Sequence, residues 1–442
     1  MNRSLRHPRT LSFTCIVMLH ALHAPLADNL KQQAYAHAQA EQFYEAVALY
    51  TQLYQDNPHD VQSAFQAGVC LLKIGNIQDA ISLFTAVAQK IVDPLPALYN
   101  IGFAHKNGGN LTAAITMYKK ILEIDPAHDG AHLALGFAYL NQGDFERGWQ
   151  QHERYLKKSG KNADALRVLI KNGTVTGKRI LLQYEGGLGD TLMFIRYAQR
   201  LHTMGAHATC FVQKNLVPLL SLCPYIDIVE TDKKNHQSYD AWASLMSLPA
   251  VFNDTEKTFP CAVPYLHADP QLTEQWALRV APFPGLKIGL CWQSDVHNDI
   301  SRLPIARRGM PLACWHSLLQ DTGKTVFSLQ RFDGTEQIKD LPDTCNLQVF
   351  EDMDTAHGSF MDTAALMTQL DLIITIDSAV AHLAGALGKQ TILLVPYVPD
   401  WRWIYNRTDS PWYPTMHIFK QTVPFDWQPT VAEVYRYLSM TE

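Results

Sequence analysis

The stretch Leu372–Pro396, LIITIDSAVAHLAGALGKQTILLVP, decides the fold. Leu372–Ile376 and Thr391–Val395 are short apolar runs rich in β-branched residues, and the segment between them has the length of a short helix. Two buried strands joined by a helix form a crossover unit, which implies a parallel sheet covered on both faces. Asp377 and Ser378 fall where the first strand ends and the helix begins. A helix N-terminus carries unpaired N–H groups and partial positive charge, and ligands of open α/β sheets sit at the carboxyl ends of the strands, so this junction suits an anion such as a diphosphate. Equally, Asp377 or Ser378 could be the N-cap of the helix and nothing more.

A comparable unit precedes it. Lys178–Gln183 is a short apolar strand, followed by Tyr184-Glu185-Gly186-Gly187-Leu188-Gly189-Asp190, an apolar helix over Thr191–Met204 and a strand over Ala208–Gln213. No Gly-Lys-Ser/Thr comes after the glycines, so this is not a P-loop, and the full GxGxxG spacing of a dinucleotide site is missing. Gly186, Gly187 and Gly189 would let the backbone approach a ligand closely. Asp190 stands at the expected helix start, either as a capping carboxylate or as a general base. Further strands are expected at Lys287–Trp292, Thr325–Leu329 and Leu347–Phe350. Pro282–Gly285 reads as a hinge between two doubly wound domains. A last helix at Thr430–Leu438 is expected to pack back on the first of them.

The N-terminal third repeats. Gly68, Gly102 and Gly136 lie 34 residues apart and Ala34 holds the same phase; Ala46, Ala80, Ala114 and Gly148 come twelve residues later, then Tyr50, Phe84, Tyr118 and His152. Pro58 and Pro126 close two of the repeats in phase. This period, with small residues where helices touch and an aromatic filling the gap to the next repeat, resembles the tetratricopeptide repeat. Such arrays present a groove for peptides or partner proteins; a spacer or a self-association contact is the plainer alternative. Lys157–Thr176, rich in Lys, Asn and Gly, joins the array to the α/β region. The expected division is residues 1–27 as a leader-like segment, 28–161 as about four repeats, 178–283 as a first lobe and 284–442 as a second lobe with its closing helix.

Composition sets the outer limits. The 442 residues are 47% hydrophobic and 18% charged, as well-cored globular domains are, and the net charge of −5 points to neither nucleic acid nor an anionic membrane. The 18 His lack metal-ligand spacing, and the eight Cys show no CxxC pair, which suits buried free thiols in a reducing compartment. Arg3, Arg6 and Arg9 precede the apolar run Leu11–Leu22, with Ala24 and Ala27 after it, the outline of a signal peptide. The run is shorter than the ~20 residues of a spanning helix. His20 and His23 weaken its apolar character, and Met18 offers an alternative start. A cytoplasmic protein is expected, with export as the alternative.

Together these motifs resemble bacterial proteins that join tetratricopeptide repeats to a glycosyltransferase of the ADP-heptose:lipopolysaccharide heptosyltransferase type, family nine. GGLGDTLMFIRYA at 186–198 is similar to that family's first-domain motif, and TIDSAVAHLAGALGK at 375–389 to its donor-binding motif. Pro399-Asp400-Trp401-Arg402-Trp403 and Ser410-Pro411-Trp412-Tyr413-Pro414 resemble the tail motifs of the repeat-bearing branch. The resemblance covers residues ~30–440. It implies the two-lobed glycosyltransferase B fold with the active site between the lobes. It makes Asp190 the base for the acceptor hydroxyl and Asp377 an acidic residue on the donor side, with Ser378, Ala379 and His382 in the turn whose amides receive the diphosphate. No metal or cofactor is implied; a nucleotide-diphosphate sugar is the co-substrate and a protein or glycan the acceptor. Cations for the phosphates would come from Arg302, Arg307 and Arg308 in the loop Ser294–Met310, where Gly309 stands at a place where Ser is common. Gln330 would face the cleft by topology. Asp352-Met353-Asp354 mimics a metal-binding DxD but reads as solvated surface, and Trp401, Trp403, Trp412 and Tyr413 read as packing. The rival reading is a scaffold or peptide-binding protein whose glycosyltransferase fold has lost its activity.

Overall fold

The structure, a computed structural model, describes residues 28–158, 163–231, 238–296 and 303–441. The leader-like segment and Arg302 lie outside them. The chain forms two compact units, one of residues 28–142 with 303–307, the other of 143–296 with 308–441.

The first unit is all-helical. It contains α1 (Asp28–Gln39), α2 (Phe43–Asp56), α3 (Val61–Lys73), α4 (Ile77–Ala88), α5 (Leu95–Asn107), α6 (Leu111–Ile124) and α7 (Asp129–Asn141), successive helices packing as antiparallel pairs. Polar residues at the helix starts accept backbone amides: Asp60 from Ser63, Asn110 from Ala113 and His128 from Ala131. The 34-residue spacing has a direct steric cause. A Cβ at Gly68 would sit 2.8 Å from the Phe84 ring, and one at Gly102 would sit 2.7 Å from the Tyr118 ring. Each aromatic therefore fills the notch left by the glycine of its own repeat. Tyr118 also clusters with Ala131, Ala134 and Leu135 of the next repeat, as expected.

The second unit begins with α8 (Phe145–Lys158) and α9 (Asp164–Lys171). The segment read only as a connection thus carries a helix, held by ion pairs of Arg167 with Glu153 and of Lys157 with Asp164. Two sheets come next, both wholly parallel. The first holds β1 (Arg179–Gln183), α10 (Leu188–Phe194), α11 (Arg196–Thr203), β2 (His207–Phe211), α12 (Val217–Leu220), β3 (Ile228–Glu230), β4 (Ala241–Ser244) and α13 (Leu248–Val251), with strand order β3-β2-β1-β4. The second comprises α14 (Pro270–Val280), β5 (Leu286–Cys291), α15 (His316–Leu319), β6 (Lys324–Ser328), β7 (Leu347–Gln348), α16 (Met361–Thr368), β8 (Leu372–Ile376), α17 (Ala379–Ala386), β9 (Thr391–Val395), β10 (Met416–Lys420) and α18 (Gln428–Thr441). Its order is β10-β9-β8-β5-β6-β7, the doubly wound arrangement.

Four details correct the sequence reading. The helix expected to start at Thr191 starts at Leu188 and breaks at Ile195. β3, β4 and β10 were not anticipated. The last helix does not return to the first sheet: Val431, Val434 and Leu438 pack in the core of the second, with Ile288, Leu290, Trp315 and Leu318. α14 also belongs there, with Trp276 donating its indole N–H to Asp362 of α16 (2.9 Å), so the chain reaches the second sheet before Pro270. The seven cysteines among the described residues are free, Cys70, Cys210, Cys223 and Cys291 buried. No helix among the described residues is long and apolar enough to cross a membrane.

Candidate active site

In each sheet the strand order reverses between one pair of neighbours, β1 and β4 in the first and β5 and β8 in the second. The crevice at the carboxyl ends of such a pair is where doubly wound sheets bind ligands. Asp190 comes after β1 and Asp377–Ser378 after β8, so both nominated turns lie at a reversal point.

In the first turn Gly186 adopts φ +81°, and a Cβ there would strike the Asp190 carboxylate. Gln213 braces the loop, its Nε2 donating to the carbonyls of Gly186 (3.3 Å) and Gly187 (3.2 Å) and its Oε1 accepting the Thr191 hydroxyl (2.8 Å). Asp190 is the third residue of α10 rather than its cap, and its Oδ2 accepts the Gly187 N–H at 2.8 Å. Its Oδ1 accepts from Arg402 Nη2. Burial pushes the Asp190 carboxyl above the ordinary carboxylate range, with Asp400 adding to this and Arg402 and the Gly187 amide opposing it.

In the second turn neither candidate cap caps. Ser378 is the residue before α17 and is extended, but its side chain makes no hydrogen bond to the helix start. Its hydroxyl lies 3.5 Å from that of Thr375. Asp377 is only 5% exposed, and none of the described residues hydrogen-bonds its carboxylate; it acts on Arg402 through charge. The first amides of α17 are thus left without a side-chain acceptor while Ser378, Ala379 and Val380 remain half-buried.

The two turns meet. α10 and α17 pack on one another, and a Cβ on Gly189 would lie 2.6 Å from the His382 ring. His382 is buried, stacks on Trp403 at 5.1 Å between ring centres, and shares a hydrogen bond with the Tyr413 hydroxyl (2.9 Å). Burial first, then the charges of Arg402 and Arg196, push its pKa down to about 3, so the ring is neutral. Its side chain is therefore committed to the joint between the lobes. Arg196, fully buried, pins the same joint by donating to the Trp412 carbonyl (2.7 Å), the Pro260 carbonyl (3.1 Å) and the Tyr265 hydroxyl (2.8 Å).

The remaining nominees scatter. Gln330 is buried and braces the turn after β5, its Oε1 accepting the amides of Trp292 (3.0 Å) and Gln293 (2.9 Å). It also lines a cavity of about 550 Å³ at the carboxyl ends of β6 and β7, with Arg331, Phe332, Lys339 and Glu351. Arg308 lies two residues before Met310, whose N–H donates to the Trp292 carbonyl, and its charge reaches His382. Arg307 is exposed and falls with the helical unit, where its charge acts on Lys73. Asp352 forms a two-pronged pair with Arg279 (2.9 and 2.8 Å). Asp354 is not solvated: it accepts the amides of Asp362 (2.8 Å) and Thr363 (3.1 Å) and caps α16. Trp401, Trp403, Trp412 and Tyr413 are buried packing.

What the sequence reading missed is Arg402. Its Nη1 donates to Asp400 (2.5 Å) and its Nη2 to Asp190, its face lies 4.4 Å from the centre of the Trp401 ring, and its carbonyl accepts the Trp412 indole N–H (2.9 Å). Burial works against its charge, but Asp190, Asp400 and Asp377 outweigh it and raise its pKa. The signal was present: a lone Arg inside an aromatic motif already singled out.

Family models of the tetratricopeptide repeat match residues 31–94 and of the TPR repeat residues 102–143. The chain is similar to Protein FlbA of Caulobacter vibrioides, 25% identical over 319 residues, which covers 65% of this chain and 51% of that one. The chain thus spans about half that relative's length. Among solved structures it is similar to a glycosyl transferase family 9 protein from Veillonella parvula, at 13% identity over 61% of this chain and 90% of the other (TM-score 0.42). It is also similar to MamA from Desulfovibrio magneticus, at 23% identity over 30% and 76% (TM-score 0.28).

Proposed function

We propose that this protein is a metal-independent glycosyltransferase that moves a sugar from a nucleotide-diphosphate sugar to a protein or glycan acceptor. The observation that carries the reading is the meeting of α10 and α17, which brings a buried carboxylate, Asp190, to the joint with a helix start that has no side-chain cap. A carboxylate whose pKa is raised by burial is suited to take a proton near neutral pH. In the proposed step the acceptor hydroxyl gives its proton to Asp190, its oxygen bonds to the anomeric carbon, and the sugar–phosphate bond breaks with its electron pair leaving on the diphosphate. The amides of α17 and its macrodipole stabilise that leaving charge, with Arg308 near the same crevice. Asp352 and Asp354 are tied to Arg279 and to α16, which supports leaving-group stabilisation without a DxD-bound metal. The cavity beside β6 and β7 is of a size to take the nucleoside. The repeats supply a groove for a peptide, from the acceptor or from another partner.

Replacing Asp190 by Asn is expected to cost roughly 10²–10⁴-fold in transfer while donor binding, measured by calorimetry, stays within a few-fold. Turnover at the wild-type rate would remove Asp190 from the mechanism.

The scaffold reading draws on one observation, that both Asp190 oxygens are already engaged, by Arg402 and by Gly187. Calorimetry against UDP-, GDP- and ADP-linked sugars separates the two, since a scaffold binds none.

A further inference from the structure

We infer that Arg402 is the positioning residue of this site, a guanidinium supplied by the second lobe that holds the Asp190 carboxylate of the first in orientation and in its charged form. The inference rests on the glycosyl-transfer reading for its consequence in turnover, but its geometry stands apart from it.

Three independent features fix Arg402. Its two terminal nitrogens are divided between Asp190 and Asp400, so the planar fork cannot rotate without losing one of them. Trp401 covers its face and Trp412 holds its carbonyl. The turn that carries it ends at Ile404, which sits at φ +51° and ψ 127°. A β-branched residue at positive φ is a true backbone outlier, retained only where the surroundings over-determine it. The outlier lies two residues along the chain from Arg402, and Trp403 between them stacks on His382. Asp377 also acts on Arg402 by charge, while Asp190 is bonded to it.

Charges face Asp190 from several elements. From the turn after β9 come Arg402 and Asp400; from the end of β8 comes Asp377, by way of Arg402; from α17 comes His382, neutral; Arg308 and Arg196 are felt at His382. On its own side Asp190 has the Gly187 amide, while Glu185 accepts the Ser244 hydroxyl. Without Arg402, Asp190 would be buried near the Asp400 carboxylate with no cation among the described residues bonded to it, and it would hold its proton. A protonated Asp190 cannot take the acceptor's proton.

The experiment compares wild type, Arg402→Gln and Arg402→Lys, each first shown to be folded by circular dichroism. Asp190 is titrated through the ¹⁵N–¹H signal of its bonded Gly187 amide, in glycine-labelled full-length protein, and the pH profile of kcat/KM is recorded as nucleoside-diphosphate release from UDP-, GDP- and ADP-linked sugars. Expected in Arg402→Gln is an upward move of the Gly187 midpoint by about 1–3 pH units, with the acidic limb of the rate profile moving by the same amount, and in Arg402→Lys a smaller move of both. The rate lost near pH 7 is then partly recovered at higher pH, which a merely structural defect would not produce. A Gly187 midpoint that stays put in folded Arg402→Gln overturns the inference. A midpoint that moves in a protein that turns over none of the sugars upholds Arg402 as the group that sets Asp190 and overturns glycosyl transfer with these donors.

Discussion

Asp190 and Asp400 are both bonded to the guanidinium of Arg402, whose side chain is 13% exposed, and Asp377 acts on it by charge. Removing a carboxylate and removing the cation therefore have unequal consequences. Arg402→Gln leaves the buried Asp190 carboxylate without the cation bonded to it, and breaking a buried pair in this way costs about 3–5 kcal/mol. Asp190→Asn keeps two carboxylates for Arg402 and removes the one whose charged form burial disfavours. Urea melts at pH 7 should show Asp190→Asn within about 1 kcal/mol of wild type. Equal losses in the two variants would contradict this account of the cluster. The placement of Asp190 and Asp377 at the two turns was legible from sequence because it is set by local pattern, one after a glycine turn and one at a strand end. Arg402 was not, because its meaning lies in a contact with a residue 212 positions away. The choice between cap and anion site at Ser378 was likewise closed to the sequence, which cannot say whether a serine hydroxyl turns toward its own helix.

At the scale of elements, glycine spacing encodes how closely helices approach. Gly102→Ala would put a Cβ 2.7 Å from the buried Tyr118 ring, and Gly189→Ala would put one 2.6 Å from His382. Each overpacking should cost about 1–3 kcal/mol. The two should differ in kind: Gly102→Ala loosens the repeats and leaves donor binding alone, while Gly189→Ala spreads α10 from α17 and weakens donor binding. Hydrogen exchange of the repeat amides and calorimetry with UDP-, GDP- and ADP-linked sugars distinguish them, and an effect of Gly102→Ala on donor binding would refute the separation. The strands that sequence reading found include unbroken apolar runs such as Leu372–Ile376 and Thr391–Val395, buried through most of their length. Those it missed, Ile228–Glu230, Ala241–Ser244 and Met416–Lys420, are short or polar at intervals, and all three lie at sheet edges, so one of their sides needs no apolar continuity. The final helix was located, but its apolar stripe could cover either sheet, and only packing chose the second.

For the molecule as a whole, the joint between the lobes should set the response to acid. His382 is held neutral with a pKa near 3 against an ordinary 6.5, so between those values the unfolded chain binds a proton that the native state refuses. Its contribution to stability is present above about pH 6.5 and is lost as pH falls toward 3. Asp190, with its raised pKa, contributes in the opposite sense, so wild type alone does not isolate either group. The difference does: thermal melts from pH 7 to pH 4.5 should fall less steeply for His382→Gln than for wild type, and parallel slopes would rule His382 out. The sequence by itself determined the 34-residue helical repeat, the two parallel α/β sheets and the two turns at their carboxyl ends. All of these come from short-range periodicity and from residues whose backbone requirements are local. Only the tertiary structure decided that the two turns meet, that Gly189 exists to let His382 in, and that Arg402 from a distant turn holds Asp190. Contacts between distant segments are set by how whole surfaces pack, and no window of sequence contains both partners.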